Sequence, residues 1–283
     1  MPLPNTSIQT KKIEIDGILL SFMEKNETSA NTIFFIHGNS GSSNTWINQL
    51  EDERLNIYRL IAIDLPAHGE SSADEALRYG VTDLAAIMVK TINSLIGNNA
   101  YVLVGFSLGS NIVSEMLTHS IKPAGLVFIG STIIGDDWNL SNIWMPDLDT
   151  SVLFAEAADD DVLKNFYSQI FNHNNLLAVN SQVADYQKVN PRFRTTLLQK
   201  AMDGNISNEF ALLRQYKMPA LFIFGMDDKI VKSFFLDEAD IPKWKNTIYK
   251  LKEAGHFLHI DQPFEVNKLI VEYSNEVFKD AHA

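Results

Sequence analysis

The segment Gly105-Phe106-Ser107-Leu108-Gly109 carries the residue types of a nucleophilic serine held in a tight turn. It follows the apolar run YVLV at 101–104 and opens a helical stretch, NIVSEMLTHS. A serine hydroxyl attacks poorly unless a base takes its proton and a third group orients that base. A strand-to-helix turn sharp enough to expose Ser107 crowds the positions two residues either side, so both want glycine. The same turn sets Ser107 at a helix N-terminus, where free N–H groups and the helix dipole favour developing negative charge. A serine N-cap in an ordinary strand–helix turn would use the same residues, so the partners decide.

Seven histidines are available as base. His256 lies in LKEAGHFLHIDQP, past the strand-like TIYKL (247–251) and before the last helical stretch, with Gly255 giving its loop freedom. His259 is the rival and is expected to face the body or start that helix. The orienting acid belongs at the end of the preceding strand, where ALFIFG (220–225) runs into Met226-Asp227-Asp228. Asp228 is preferred, since the turn then reads glycine, two residues, acid; Asp227 is the alternative. The acid would fix the imidazole tautomer and stabilise the imidazolium without taking the proton. The expected oxyanion donors are the backbone N–H groups of Asn39, in the loop His37-Gly38-Asn39, and of Leu108, the residue after the nucleophile. His37 is expected to brace that loop by hydrogen bonds. The chain order Ser…Asp…His differs from that of chymotrypsin and of subtilisin.

These residues need a scaffold that brings distant loops to one rim, and the apolar pattern supplies one. TIFFI (32–36), IYRLIAI (57–63), YVLVG (101–105), GLVFIG (125–130), ALFIFG and TIYKL are continuous apolar runs of the kind buried on both faces of a parallel sheet. Residues 8–15 and 18–24 flank Asp16-Gly17, a hairpin signal, and predict an antiparallel edge. Helical spacing is clear over 82–96, with Thr82 as expected N-cap, and again from Pro263 to about Phe278. This strand–helix alternation predicts an α/β fold with a mostly parallel, eight-stranded sheet flanked by helices. Residues 134–212 are expected to form a helical cap over the sheet's carboxyl edge, leaving 1–133 and 213–283 as the core domain. That stretch holds aromatics including Trp138, Trp144, Phe154, Tyr167 and Phe193. Trp144 and Tyr167 are named as candidates to line a substrate pocket, although most of these rings are expected to pack the cap.

The bulk numbers exclude several other classes. At 283 residues and 46% hydrophobic the chain can bury a large core. Its net charge of −12 repels phosphate backbones, so no nucleic-acid partner is expected. There is no cysteine, which removes disulfides, thiolate metal sites and cysteine nucleophiles. No signal-type segment or membrane-length apolar run is visible. The expectation is a cytoplasmic monomer or homodimer acting on a small ester or lactone, with neither metal nor organic cofactor.

The motifs HGNSGSSNTW (37–46), DLPAHGES (64–71), GFSLGS (105–110), GMDDKIV (225–231) and AGHFLHIDQP (254–263) resemble those of the α/β-hydrolase family and span nearly the whole chain outside the insertion. The resemblance implies that fold, a Ser107–Asp228–His256 triad, and a structural rather than catalytic role for Asp64 and His68. The HGN start is similar to that of haloalkane dehalogenases, but those enzymes and the epoxide hydrolases of this fold use an aspartate nucleophile, and this chain has serine. Carbon–carbon bond hydrolases share the triad but have a glycine- and proline-rich oxyanion loop; HGNSGSS lacks the proline. HGNS with DLPAHGES and GFSLGS also resembles the N-acyl homoserine lactonases of this fold. The implied chemistry is ester or lactone hydrolysis through an acyl-enzyme. A ligand-sensing receptor on the same fold is the non-enzymatic alternative.

Overall fold

The computed structural model describes residues 7–135, 140–172 and 175–281. Trp138 lies outside them.

Eight strands form one sheet: β1 Gln9–Ile15, β2 Ile18–Lys25, β3 Thr32–Ile36, β4 Arg59–Ile63, β5 Tyr101–Phe106, β6 Gly125–Ile129, β7 Ala220–Gly225 and β8 Lys243–Leu251. Their order is β1-β2-β4-β3-β5-β6-β7-β8. β2 pairs antiparallel with β1 and with β4, and all the other pairs are parallel. Asp16 and Gly17 both take positive φ, 50° and 83°, as a two-residue hairpin turn requires. β3, β4, β5, β6 and β7 are buried at every position, which is why they read as unbroken apolar runs rather than alternating ones.

Seven longer helices complete the described fold: α1 Val81–Leu95, α2 Leu108–Met116, α3 Asp160–Ile170, α4 Leu176–Lys188, α5 Pro191–Met202, α6 Glu209–Tyr216 and α7 Pro263–Ala281. α1 buries Leu84, Ala85, Met88 and Ile92 on one stripe. Its cap differs from expectation. The N-cap is Gly80, whose N–H donates to the Asp83 carboxylate at 3.2 Å. Thr82 lies one residue inside the helix and donates its hydroxyl to the Asn205 side chain instead. The strand expected from 57 begins at Arg59, because Tyr58 N–H closes a turn onto Leu55 C=O and Ile57 stays exposed.

Register fixes where chemistry can happen. Ile36 pairs with Gly105, Phe106 with Ile129, and Gly225 with Leu251. The loops that leave β3, β5, β6, β7 and β8 therefore open along one carboxyl edge, the usual ligand edge of an open α/β sheet. The helices α3, α4, α5 and α6 all lie between β6 and β7 in sequence. α6 packs on α2, where the Glu209 carboxylate accepts from Asn111 Nδ2 at 2.8 Å.

Candidate active site

Ser107 sits between β5 and α2 with φ 50° and ψ −119°, a conformation that non-glycine residues adopt only under constraint. The constraint is visible on both sides. A Cβ on Gly105 would collide with the carbonyl of Gly109, and one on Gly109 with the carbonyl oxygen of Ile36. Ser107 N–H donates to Ile129 C=O at 3.0 Å, tying the turn to β6. Leu108 is the first residue of α2, so its N–H has no acceptor within the helix.

The His37 loop lies directly against this turn. A Cβ on Gly38 would stand 3.0 Å from the Phe106 ring and 3.1 Å from Ser107 Cβ, so only glycine lets the two backbones approach this closely. His37 is fully buried. Its Nε2 accepts from Leu65 N–H at 3.0 Å, which leaves Nδ1 to donate to Gly38 C=O at 2.7 Å. Burial lowers its pKa, so it stays neutral and spans two loops as a fixed brace. Asp64 is likewise committed, accepting from Ser43 N–H at 2.6 Å and from Glu70 N–H at 3.0 Å. His68 is buried against the Phe193 ring and has its pKa held well below the usual value by burial.

On the other side of Ser107, His256 Nδ1 lies 2.7 Å from Asp228 Oδ2. The second oxygen of Asp228 accepts from Ile230 and Val231 N–H, at 2.7 and 2.9 Å. A carboxylate held by two backbone donors makes Nδ1 the protonated nitrogen and leaves Nε2 as the acceptor. The imidazole packs against Phe106, with ring centroids 5.0 Å apart, and against Gly130, the residues that flank Ser107 in sequence and across the sheet. Asp227, the alternative acid, is exposed and accepts from Asn172 Nδ2 at 2.9 Å. His259, the alternative base, is buried with Nε2 2.9 Å from Thr45 Oγ1, and burial lowers its pKa to about 3.

Ser107, Leu108 and Asn39 share a cavity of about 210 Å³. Its wall is otherwise largely apolar, with Val81, Ile134, Trp144, Leu153, Leu197 and Ile230 among the contributors. Trp144 is among the residues that line the cavity and stacks on Phe154. Tyr167 is placed elsewhere. It is buried within the helices, packs on Phe166 and Phe257, and is not among the side chains lining this cavity. Its ring was drawn inward because Tyr167 lies on the buried stripe of α3 with Leu163, Phe166 and Ile170.

Sequence reasoning missed one polar cluster beside the cavity. Glu209 is fully buried, accepts from Ile134 N–H at 2.6 Å and from Asn111 Nδ2 at 2.8 Å, and burial raises its pKa well above the ordinary carboxylate value. Asn111 in turn accepts from the Thr132 hydroxyl at 2.6 Å, and both Asn111 and Thr132 face the cavity. Asn111 lies one helical turn past Ser107, a spacing that would have flagged it. Among the described residues no cluster of His, Asp or Glu is arranged to hold a metal ion, and no helix is long and apolar enough to cross a membrane.

The model of the alpha/beta hydrolase fold family matches residues 31–263. The chain belongs to that family. Among curated relatives of this α/β hydrolase, YugF of Bacillus subtilis, named an uncharacterized hydrolase, is 23% identical over 93% of this chain and 97% of its own length. A Haemophilus influenzae relative, 29% identical, is spanned over only 58% of its length. The fold superposes on the N-acyl homoserine lactonase AidH, complexed with N-hexanoyl homoserine, with a TM-score of 0.87 at 21% identity, covering 96% of this chain and 98% of that one. The esterase RhEst1 from Rhodococcus sp. ECU1013 superposes with a TM-score of 0.78 at 22% identity, over 96% and 99% of the two chains.

Proposed function

We propose that the protein hydrolyses a carboxylic ester or lactone through a Ser107–His256–Asp228 triad. The observation that carries this reading is the buried 2.7 Å contact of His256 Nδ1 with Asp228, set beside a strained turn that holds Ser107. His256 Nε2 takes the Ser107 proton as the hydroxyl oxygen attacks the substrate carbonyl. The N–H groups of Asn39 and Leu108 receive the oxyanion of the tetrahedral intermediate, and each such donor is worth about 3–4 kcal/mol of transition-state stabilisation. The protonated histidine then gives its proton to the leaving alcohol, and a water activated at the same nitrogen releases the acid. Residues 134–212 act as a cap over a body formed by 1–133 and 213–283.

The apolar wall around Ser107 favours a substrate with an apolar acyl group. A lactone with such an acyl group is a specific form of this reading, supported by the similarity of fold to AidH. Turnover of aryl esters, acyl lactones and amides by the wild type and by Ser107→Ala tests both levels. The reading expects ester or lactone turnover that Ser107→Ala abolishes. Equal turnover by the two proteins would overturn it, and single-turnover release with no steady state would favour a ligand-sensing role.

A further inference from the structure

We propose that Gln182 and Asp185 on α4 are positioning residues for the oxyanion loop, holding residues 39–42 in the shape that presents the Asn39 N–H beside Ser107. The inference rests on the serine-hydrolase reading and assigns to the cap a part in the chemistry beyond covering the cavity.

The loop needs outside support. Its backbone closes a turn from Gly41 N–H to Gly38 C=O at 3.2 Å, and Ser40 sits at φ 57°, a left-handed conformation unfavourable for a residue with a side chain. The body steadies the far end, where Asp64 accepts from Ser43 N–H at 2.6 Å. Nearer Ser107 the body's His37 donates to Gly38 C=O at 2.7 Å, and the partners of residues 40 and 42 come from the cap. Gln182 Nε2 donates to Ser40 C=O at 2.8 Å. Ser42 Oγ donates to Asp185 Oδ2 at 2.8 Å and accepts from Asn44 N–H at 3.2 Å. Asn39 Nδ2 donates to Leu153 C=O at 2.7 Å, and Ser40 Oγ donates to Asn39 Oδ1 at 3.1 Å.

Gln182 and Asp185 are three residues apart, so one face of α4 aims both side chains at one loop. Gln182 occupies the apolar stripe itself, between Val179, Val183 and Tyr186, where a hydrophobic residue would pack more cheaply. Both side chains are buried, and neither is among those that line the cavity. Burial raises the pKa of Asp185 to about 6; the Ser42 hydrogen bond opposes this, Asp64 reinforces it, and Lys188 opposes it. A buried carboxylate kept at this cost, bonded to a serine three residues from Asn39, indicates a demand on loop geometry that apolar packing would not meet.

The test compares Gln182→Met, Asp185→Leu and Asp185→Asn with the wild type on p-nitrophenyl butyrate, together with inhibition by phenylboronic acid, which forms a tetrahedral adduct at the serine. Loss of an interaction made only in the transition state lowers kcat and kcat/KM together. Gln182→Met and Asp185→Leu are expected to lower kcat 10-fold or more with KM within 3-fold, and to weaken boronate binding by a similar factor. Asp185→Asn keeps the acceptor and is expected to stay within 3-fold of wild type at pH 8. Wild-type kcat in both Gln182→Met and Asp185→Leu, or a change confined to KM, would overturn the proposal and reduce these residues to cap anchors. Should either variant not fold, Ser42→Ala, which deletes one oxygen, decides in the same way. Ser107→Ala, run alongside, separates the two failures. If it turns over as wild type the hydrolase reading falls, whereas a dead Ser107→Ala with fully active cap variants removes the positioning role alone.

Discussion

The two loops that flank Ser107 are secured in different ways. On the histidine side, the side-chain bond that matters stays inside the body: Asp228 grips His256, and the backbone of Ile230 and Val231 grips Asp228. The helical segment meets that loop through main chain, with Ile170 C=O accepting from His256 N–H at 2.9 Å, and through the Phe171 ring stacked on Phe257, while none of its side chains bonds His256 or Asp228 among the described residues. On the Asn39 side the arrangement differs. Side chains of the helical segment, Gln182 and Asp185, reach into the loop at Ser40 and Ser42, between the body's own contacts, His37 on Gly38 C=O and Asp64 on Ser43 N–H. The difference teaches that base and oxyanion donor need not respond together when the helices move or change sequence. The base side should tolerate polar substitutions in α4, and the oxyanion side should not.

The largest effect that sharpens this comparison is on the body side. Asp228→Asn is expected to keep the fold and cut kcat about 10⁴-fold, because an amide cannot hold the imidazole in the required tautomer. Steady-state kinetics on an aryl ester checks this, and an Asp227→Asn control should stay near wild type, given its exposed place beside Asn172.

Gly255→Ala comes next. Its Cβ would collide with the carbonyl oxygen of Ile170, which accepts from His256 N–H and has little room to yield. A shift of the loop by about 1 Å should cost about 10²-fold in kcat, with a lowered melting temperature. Kinetics paired with thermal unfolding tests it. A Gly255→Ala protein as active and as stable as wild type would show that the two segments part freely here.

The smallest effect on activity falls on Asp185→Asn, and it is mainly one of stability. Burial raises this carboxyl from 3.8 to about 6, so the folded protein binds a proton more tightly than the unfolded chain. Its ionised form therefore costs stability above about pH 6, and the cost fades as pH falls toward 4. The full shift corresponds to at most about 3 kcal/mol. Asp185→Asn is thus expected to melt higher than wild type at pH 8 and no higher at pH 4, as measured by denaturant or thermal unfolding at both values.

Much of this was readable in the chain. The apolar runs located the strands because those strands are covered on both faces, and the Asp16-Gly17 hairpin followed from turn chemistry alone. Ser107, His256 and Asp228 stood out because each follows a strand that opens at the same edge, which sequence order already implied. What stayed hidden depends on contacts between distant segments. Gln182 and Ser40 are far apart in the chain, and no motif joins them, although a glutamine on the stripe Val179–Val183–Tyr186 was a visible oddity. Tyr167 read as a possible pocket residue because aromatic content says nothing about which way a ring turns. Gly80 replaced Thr82 as N-cap because the Thr82 hydroxyl found a partner in Asn205, on a segment more than a hundred residues away.

The central claim is that Ser107 is the attacking group, activated by His256. Its most direct test is reaction with a fluorophosphonate followed by peptide mass spectrometry, in the wild type, Ser107→Ala and His256→Ala. The account predicts a single phosphonylated peptide carrying Ser107 in the wild type, no label in Ser107→Ala, and labelling slowed by orders of magnitude in His256→Ala. A label on another residue, or undiminished labelling of Ser107→Ala, would contradict it.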